Sequence, residues 1–162
     1  MISFDIDGVR FNYRCAAICH SDSRLLLHRA LQDDFWALPG GRCEAGETAR
    51  EAVEREMREE IDVPASAGRL VFVVENFFAY DDWQGHEIGM YFEVELPDES
   101  PVVQKRGVWT PVVETGMVFR WFEAAELDGI CVKPAFLADK LFDLPLGTEH
   151  VVVRDVREAE GR

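Results

Sequence analysis

The chain has 162 residues, the length of one domain and short for two. Its 48% hydrophobic content, with 11% aromatic residues, is enough to bury a core and excludes a disordered, solvated tail. Seventeen Lys and Arg against 31 Asp and Glu leave a net charge of -14, which repels phosphate backbones, so long nucleic acid and anionic membranes are disfavoured as partners. An anionic ligand therefore needs a local cluster of donors or a bridging cation.

No apolar run approaches the roughly 20 residues that cross a bilayer, and the first residues lack a basic segment leading into an apolar one. Neither a signal peptide nor an anchor is expected. Cys15, Cys19, Cys43 and Cys131 are few for a disulfide scaffold and are spaced unlike a zinc ribbon or finger. Buried, reduced thiols are the expectation, and with them a cytoplasmic location.

Taken in chain order, residues 2–6 and 9–19 read as two strands joined at Asp7-Gly8, a dipeptide suited to a hairpin turn. In the second strand Phe11, Tyr13, Cys15, Ala17 and Cys19 alternate with Asn12, Arg14, Ala16 and Ile18, a period of two. A polar turn at 21–23 leads into a short apolar strand over 24–29. Pro39, Gly40, Gly41 and Gly46 then predict a loop. Thr48 followed by Glu51 has the form of a capping box and starts a helix that Pro64 ends. Residues 69–80 and 88–96, rich in aromatic and β-branched side chains, read as strands separated by a polar loop over 81–87. A strand over 117–122, a helical turn or two over 123–129, a helix over 134–144 with Pro134 at its first position, and a strand over 150–156 complete the chain. With no linker or repeat, residues 1–162 are expected to form a single domain of the α+β class, a mixed sheet with helices on its faces.

The helix carries the chemistry. At about 100° per residue, Glu59 falls roughly 60° to one side of Glu56 and Glu60 roughly 40° to the other, so the three carboxylates form one stripe. Val53, Met57 and Ile61 supply the adjacent apolar flank. Glu51 with Arg55, Glu54 with Arg58, and Arg55 with Glu59 have the spacing of ion pairs worth ~0.2 to 0.5 kcal/mol each, the pattern of an ordinary solvated face. Glu56 departs from that pattern, because Ala52, Val53, Glu59 and Glu60 at three and four residues either side include no base. Acids gathered in this way suit a hard cation such as Mg²⁺, whose remaining ligands are waters and phosphate oxygens.

From Gly41 to Val63 the residues run G-x5-E-x7-R-E-M-x-E-E-x-D-V, with Glu47, Arg55, Glu56, Glu59 and Glu60 at the fixed positions. The segment resembles the Nudix box, departing from it only at Asp62, where the family has Gly. That position follows the helix, where a left-handed backbone is favoured, and Asp tolerates such a backbone better than most residues. WALPGG ahead of the box, LLLHR before that, and RWFEAAEL downstream are similar to segments that flank Nudix boxes.

The resemblance implies an α/β/α sandwich with a mixed central sheet, and hydrolysis of a nucleoside diphosphate linked to another group by attack of water on phosphorus. It implies Mg²⁺ or Mn²⁺ as cofactor, a small diphosphate substrate, and a homodimer as a common assembly. By the family's pattern Glu56, Glu59 and Glu60 would be metal ligands, joined by the main-chain carbonyl of Gly40. Glu47 and Arg55 would orient the cluster, or serve only as a salt bridge closing the loop onto the helix. The general base is either Glu56 or, at the edge of the 81–87 loop, Glu87, with Glu114 a third candidate. Arg29 and Arg14 could contact phosphate or simply be solvated, and His86 could relay a proton. Trp36, Trp83, Phe35 and Tyr13 offer flat faces for a base, Trp36 being better suited to the core. Two rival functions share the scaffold: a module that senses a nucleotide or sugar nucleotide without cleaving it, and an isoprenoid diphosphate isomerase, for which Cys43 is poorly placed.

Overall fold

A computed structural model describes residues 1–155. Strands β1 (Ser3–Ile6) and β2 (Val9–Ile18) form the first hairpin, with Asp7 and Gly8 at φ of 49° and 81°, left-handed values that Asp and Gly adopt at low cost. A second hairpin joins β3 (His20–Ser21) to β4 (Arg24–Ala30). Where the glycines predict only loop, Gly40–Arg42 forms a short strand, β5, paired antiparallel with β2. It can do so because Gly40 presents no side chain: a Cβ there would lie 2.2 Å from the carbonyl oxygen of Cys15.

Helix α1 (Ala49–Ile61) begins with the capping box foreseen at Thr48 and Glu51, and Asp62 ends it at φ 55°, ψ 40°, its N–H donating to the Arg58 carbonyl. Strands β6 (Ser66–Tyr80) and β7 (Trp83–Glu95) are joined only at Asp81 and Asp82. The loop expected over 81–87 is thus mostly strand. The reason is cross-strand aromatic packing, with His86 stacked on Phe77 at 4.3 Å and Trp83 against Phe78 at 5.6 Å. After a 3-10 turn over Pro101–Gln104 come β8 (Met117–Glu123) and a 3-10 helix over Ala124–Gly129. The helix expected over 134–144 shrinks to α2 (Leu137–Lys140), which starts at Phe136 without a side-chain cap. Strand β9 is Glu149–Asp155, and residue 156 of the expected strand lies outside the described residues.

The main sheet has the order β1-β2-β7-β6-β9, with β5 beside β2; β2/β7 and β6/β9 are parallel and the rest antiparallel. The period of two in β2 divides the core. Cys15, Ala17 and Cys19 face Ala52, Val53, Met57 and Ile61 of α1, while Ala16 and Ile18 face Leu25, Leu27, Phe122, Leu127, Leu137 and Leu141. The result is the α+β architecture expected, a mixed sheet between helices, supplemented by the small antiparallel sheet β3-β4-β8, whose Leu25, Leu27 and Phe122 join the second cluster and Leu26, Phe119 and Trp121 the first. All four cysteines are free, and Cys131 alone of them is exposed. No helix of the described residues is long and apolar enough to cross a membrane.

Candidate active site

The guanidinium of Arg55 organises the loop and helix. Its Nη2 donates to Glu47 Oε1 at 2.6 Å and its Nε to Glu47 Oε2 at 3.1 Å, a two-pronged grip. Nη1 donates to Glu56 Oε1 at 2.8 Å and Glu59 Oε2 at 3.1 Å, and Nη2 reaches the Arg42 carbonyl at 3.1 Å. Glu56 is therefore not the baseless acid that helical spacing suggests, because its immediate neighbour in sequence folds back onto it. Glu51, expected beside Arg55, is engaged with Thr48, and Glu54 accepts from the Ala67 N–H. The Arg55 hydrogen bond holds the Glu47 carboxyl below its ordinary value. Burial pushes Glu56 the other way, helped by the like charges of Glu60 and Glu59 and opposed by Arg55.

Glu60 points elsewhere. Its Oε2 stands 3.3 Å from Nδ1 of His28 on β4, and neither atom has a hydrogen-bond partner of normal geometry. Among the described residues no three His, Cys, Asp or Glu side chains are gathered as a metal ion would need. The carbonyl of Gly40 accepts from Arg14 Nη2 at 3.2 Å.

From Gly40 and Glu60 a cleft of about 700 Å³ extends over the second face of the main sheet. Register explains its floor: Glu87 on β7 lies opposite Asn12 on β2 and Asn76 on β6, so Glu87, Asn76, Arg14 and Tyr91 share one face. Glu87 is 7% exposed, a buried strand residue where the loop-edge acid was expected. Burial pushes its carboxyl up, and nearby Arg14 pulls it partly back. Burial and Glu87 likewise push the Tyr91 hydroxyl up. Phe35, Phe78, Tyr80 and Met117 contribute to the walls. At the rim Tyr80 donates to Asp33 Oδ1 at 2.8 Å and Arg29 to the Asp33 carbonyl at 2.7 Å.

Of the side chains expected at the substrate, Arg29, Arg14 and Phe35 line the cleft, as does Glu114. Trp36 and Trp83 do not. Trp36 is buried with its ring against Phe122 at 4.9 Å and Arg29 over it at 5.2 Å, because the residue beside Leu38 is needed by the core. Trp83 sits at the β6/β7 tip under Arg10, 4.9 Å away. Tyr13 packs on the α1 side, and His86 lies between Phe11 and Phe77 on the face opposite Glu87. Sequence inspection passes over His28, Asn76, Phe78, Tyr80 and Tyr91. The period-two pattern of β6 and β7 is the signal that puts Asn76, Phe78 and Tyr91 on one face.

The NUDIX domain model matches residues 10–140. The chain is 35% identical over 151 residues to diphosphoinositol polyphosphate phosphohydrolase 2 of Rattus norvegicus, covering 90% of this chain and 76% of that one. To an RNA pyrophosphohydrolase of Sodalis glossinidius it is 34% identical over 76 residues, 47% of this chain, and spans less than half of that protein, 43%. A NUDIX hydrolase structure from Nitrosomonas europaea superposes with a TM-score of 0.61 at 16% identity, over 89% of this chain and 79% of that one, a likeness of fold.

Proposed function

This chain belongs to the NUDIX family, and from that premise we propose that it hydrolyses a phosphoanhydride bond in a nucleoside diphosphate linked to another group, with a divalent cation held by Glu56, Glu59, Glu60 and the Gly40 carbonyl. The donor set has the chemistry such an ion takes, and its three carboxylates, not gathered round one point as they stand, would have to close on it. Burial, with the like charges of Glu60 and Glu59, disfavours the charge on Glu56, a cost that a cation would offset. When bound, Mg²⁺ or Mn²⁺ supplies neutralisation of phosphate charge and alignment of a water.

The protein's own groups do the rest. Arg55 fixes Glu47, Glu56 and Glu59 in single orientations, and this hub beside the Gly40 end of the cleft is the observation that carries the proposal. Arg14 and Arg29 are placed for phosphate oxygens. Glu56 and Glu87 are the leading candidates for the base that takes a proton from water, with Glu114 the third, Glu87 gaining basicity from its burial in the cleft floor.

The cleft offers both charged and flat side chains. Its lining holds four cationic side chains, Arg14, Arg29, Lys133 and Arg154, against five carboxylates, Asp33, Glu60, Glu87, Glu114 and Asp155. Phe35, Phe78, Tyr80 and Tyr91 suit a base.

A panel of nucleoside di- and triphosphates, sugar nucleotides and inositol diphosphates, run with Mg²⁺ and with Mn²⁺, tests this. Release of nucleoside monophosphate or phosphate is expected, falling at least ~10²-fold in Glu59→Gln and in Glu60→Gln, as loss of a metal ligand predicts. Tight nucleotide binding with no turnover under either metal would instead mark a sensor. The free cysteines suit a reducing cytoplasm, and a homodimer is the assembly proposed, which light scattering checks.

A further inference from the structure

Arg55 anchors two of the three carboxylates on the helical ridge, Glu56 and Glu59. Glu60 is anchored differently. Its side chain is 12% exposed and that of His28 is 6% exposed, so both are largely withdrawn from water. The buried Oε2 of Glu60 lies 3.3 Å from Nδ1 of His28, and neither atom has a hydrogen-bond partner of normal geometry among the described residues. A buried carboxylate oxygen lacking a donor is costly, and the imidazole is the donor within reach.

The imidazole is itself held in place. His28 exchanges both main-chain hydrogen bonds with Ala37, at 2.9 Å each, and its ring packs edge-on to Phe119 at 5.3 Å. Residues on β4 and α1, far apart in sequence, are thereby brought to a fixed relation.

We propose that His28 is a positioning residue for Glu60, its Nδ1–H holding one carboxylate oxygen so that the other is presented to the divalent cation. The proposal rests on the assignment of Glu60 as a metal ligand. The ridge then has two supports, Arg55 beneath Glu56 and Glu59 and His28 beneath Glu60, as ligand carboxylates generally need. Because the hydrogen bond comes from Nδ1, Asn can replace it, its amide nitrogen standing about where Nδ1 does, whereas Gln places its amide nearer the Nε2 position.

Two measurements test this. Nitrogen-15 spectra of the histidine-labelled wild-type protein without metal should show His28 protonated at Nδ1; a neutral ring protonated only at Nε2 would overturn the proposal without any variant. Calorimetric titration with Mn²⁺ alone, in the absence of substrate, should show affinity lowered about 10- to 100-fold in His28→Phe and His28→Gln. His28→Asn should stay within about threefold of wild type, the margin that separates rescue from loss on that scale. Equal loss in the Asn and Gln variants, or unchanged affinity in both Gln and Phe while Glu60→Gln loses it, overturns the role of His28 alone. Unchanged Mn²⁺ affinity in Glu59→Gln and Glu60→Gln removes the metal assignment and the proposal with it. Melting curves confirm that each variant is folded.

Discussion

The carboxyl group of Glu56 occupies the space that a side chain at Gly41 would fill: a Cβ there would come 2.3 Å from Glu56 Cδ and 2.4 Å from both of its oxygens. The obstacle is the end of a flexible side chain, so Gly41→Ala should cost little in stability, under about 1.5 kcal/mol by melting. It should nevertheless displace Glu56 from Arg55 and lower hydrolysis at least ~10-fold, the effect of misplacing a group that supports a metal. Gly40→Ala should behave in the opposite order. There the obstacle is main chain, the Cys15 carbonyl, and φ is 147°, so unfolding should dominate, with a loss of about 2 kcal/mol or more.

Arg55→Lys keeps the charge and loses the fork. A single ammonium cannot serve Glu47, Glu56, Glu59 and the Arg42 carbonyl at once. Metal-dependent turnover should fall ~10- to 100-fold, with apparent metal affinity falling alongside. Retention of wild-type kinetics in this variant would mean that charge alone sustains the cluster.

Stability should respond to pH through Glu87. Its carboxyl is raised above the ordinary glutamate value of 4.5 by burial, so above that pH the folded protein retains a proton that the unfolded chain has released. The contribution of the group is full below 4.5 and is lost as pH rises through the folded value. Glu87→Gln lacks this dependence. The melting temperature of the variant should therefore rise relative to wild type between about pH 4.5 and neutrality and then run parallel to it. A melting temperature of the variant that falls relative to wild type over that range would show Arg14 outweighing burial.

The two ends of α1 should respond in opposite directions. Thr48→Ala removes the side-chain oxygen that accepts from the Glu51 N–H and should destabilise by about 0.5–2 kcal/mol. Asp62→Gly relieves the left-handed backbone at φ 55° and should be neutral or stabilising by up to ~1 kcal/mol, with turnover unchanged. Denaturant midpoints measure both.

Local signals were the legible ones. Thr48 with Glu51, the Val53-Met57-Ile61 stripe and the Asp62 cap all act within a few residues, and α1 spans the residues they mark. The alternation in β2 likewise assigns its two faces. What escaped depends on contacts distant in sequence or on side chains longer than a helical wheel allows for. Arg55 reaches its own neighbour Glu56, which counting by three and four overlooks. The polar run over 81–87 becomes strand only because Phe77 and Phe78 wait opposite it. Trp36 reads better as core than as a ligand contact, and Phe122 packed against it gives the reason. A histidine within an apolar strand carries no pattern that links it to Glu60.

Because Gly40–Arg42 is at once the edge strand beside β2 and the start of the acidic loop, catalytic geometry and fold integrity share one short stretch of main chain. The Gly41 amide, which the alternation set by Ala17 with Pro39 and Cys43 with Tyr13 turns toward β2, should exchange with solvent more slowly than the amides of a free surface loop. The rim, where Tyr80 meets Asp33 through side chains alone, carries no such double duty.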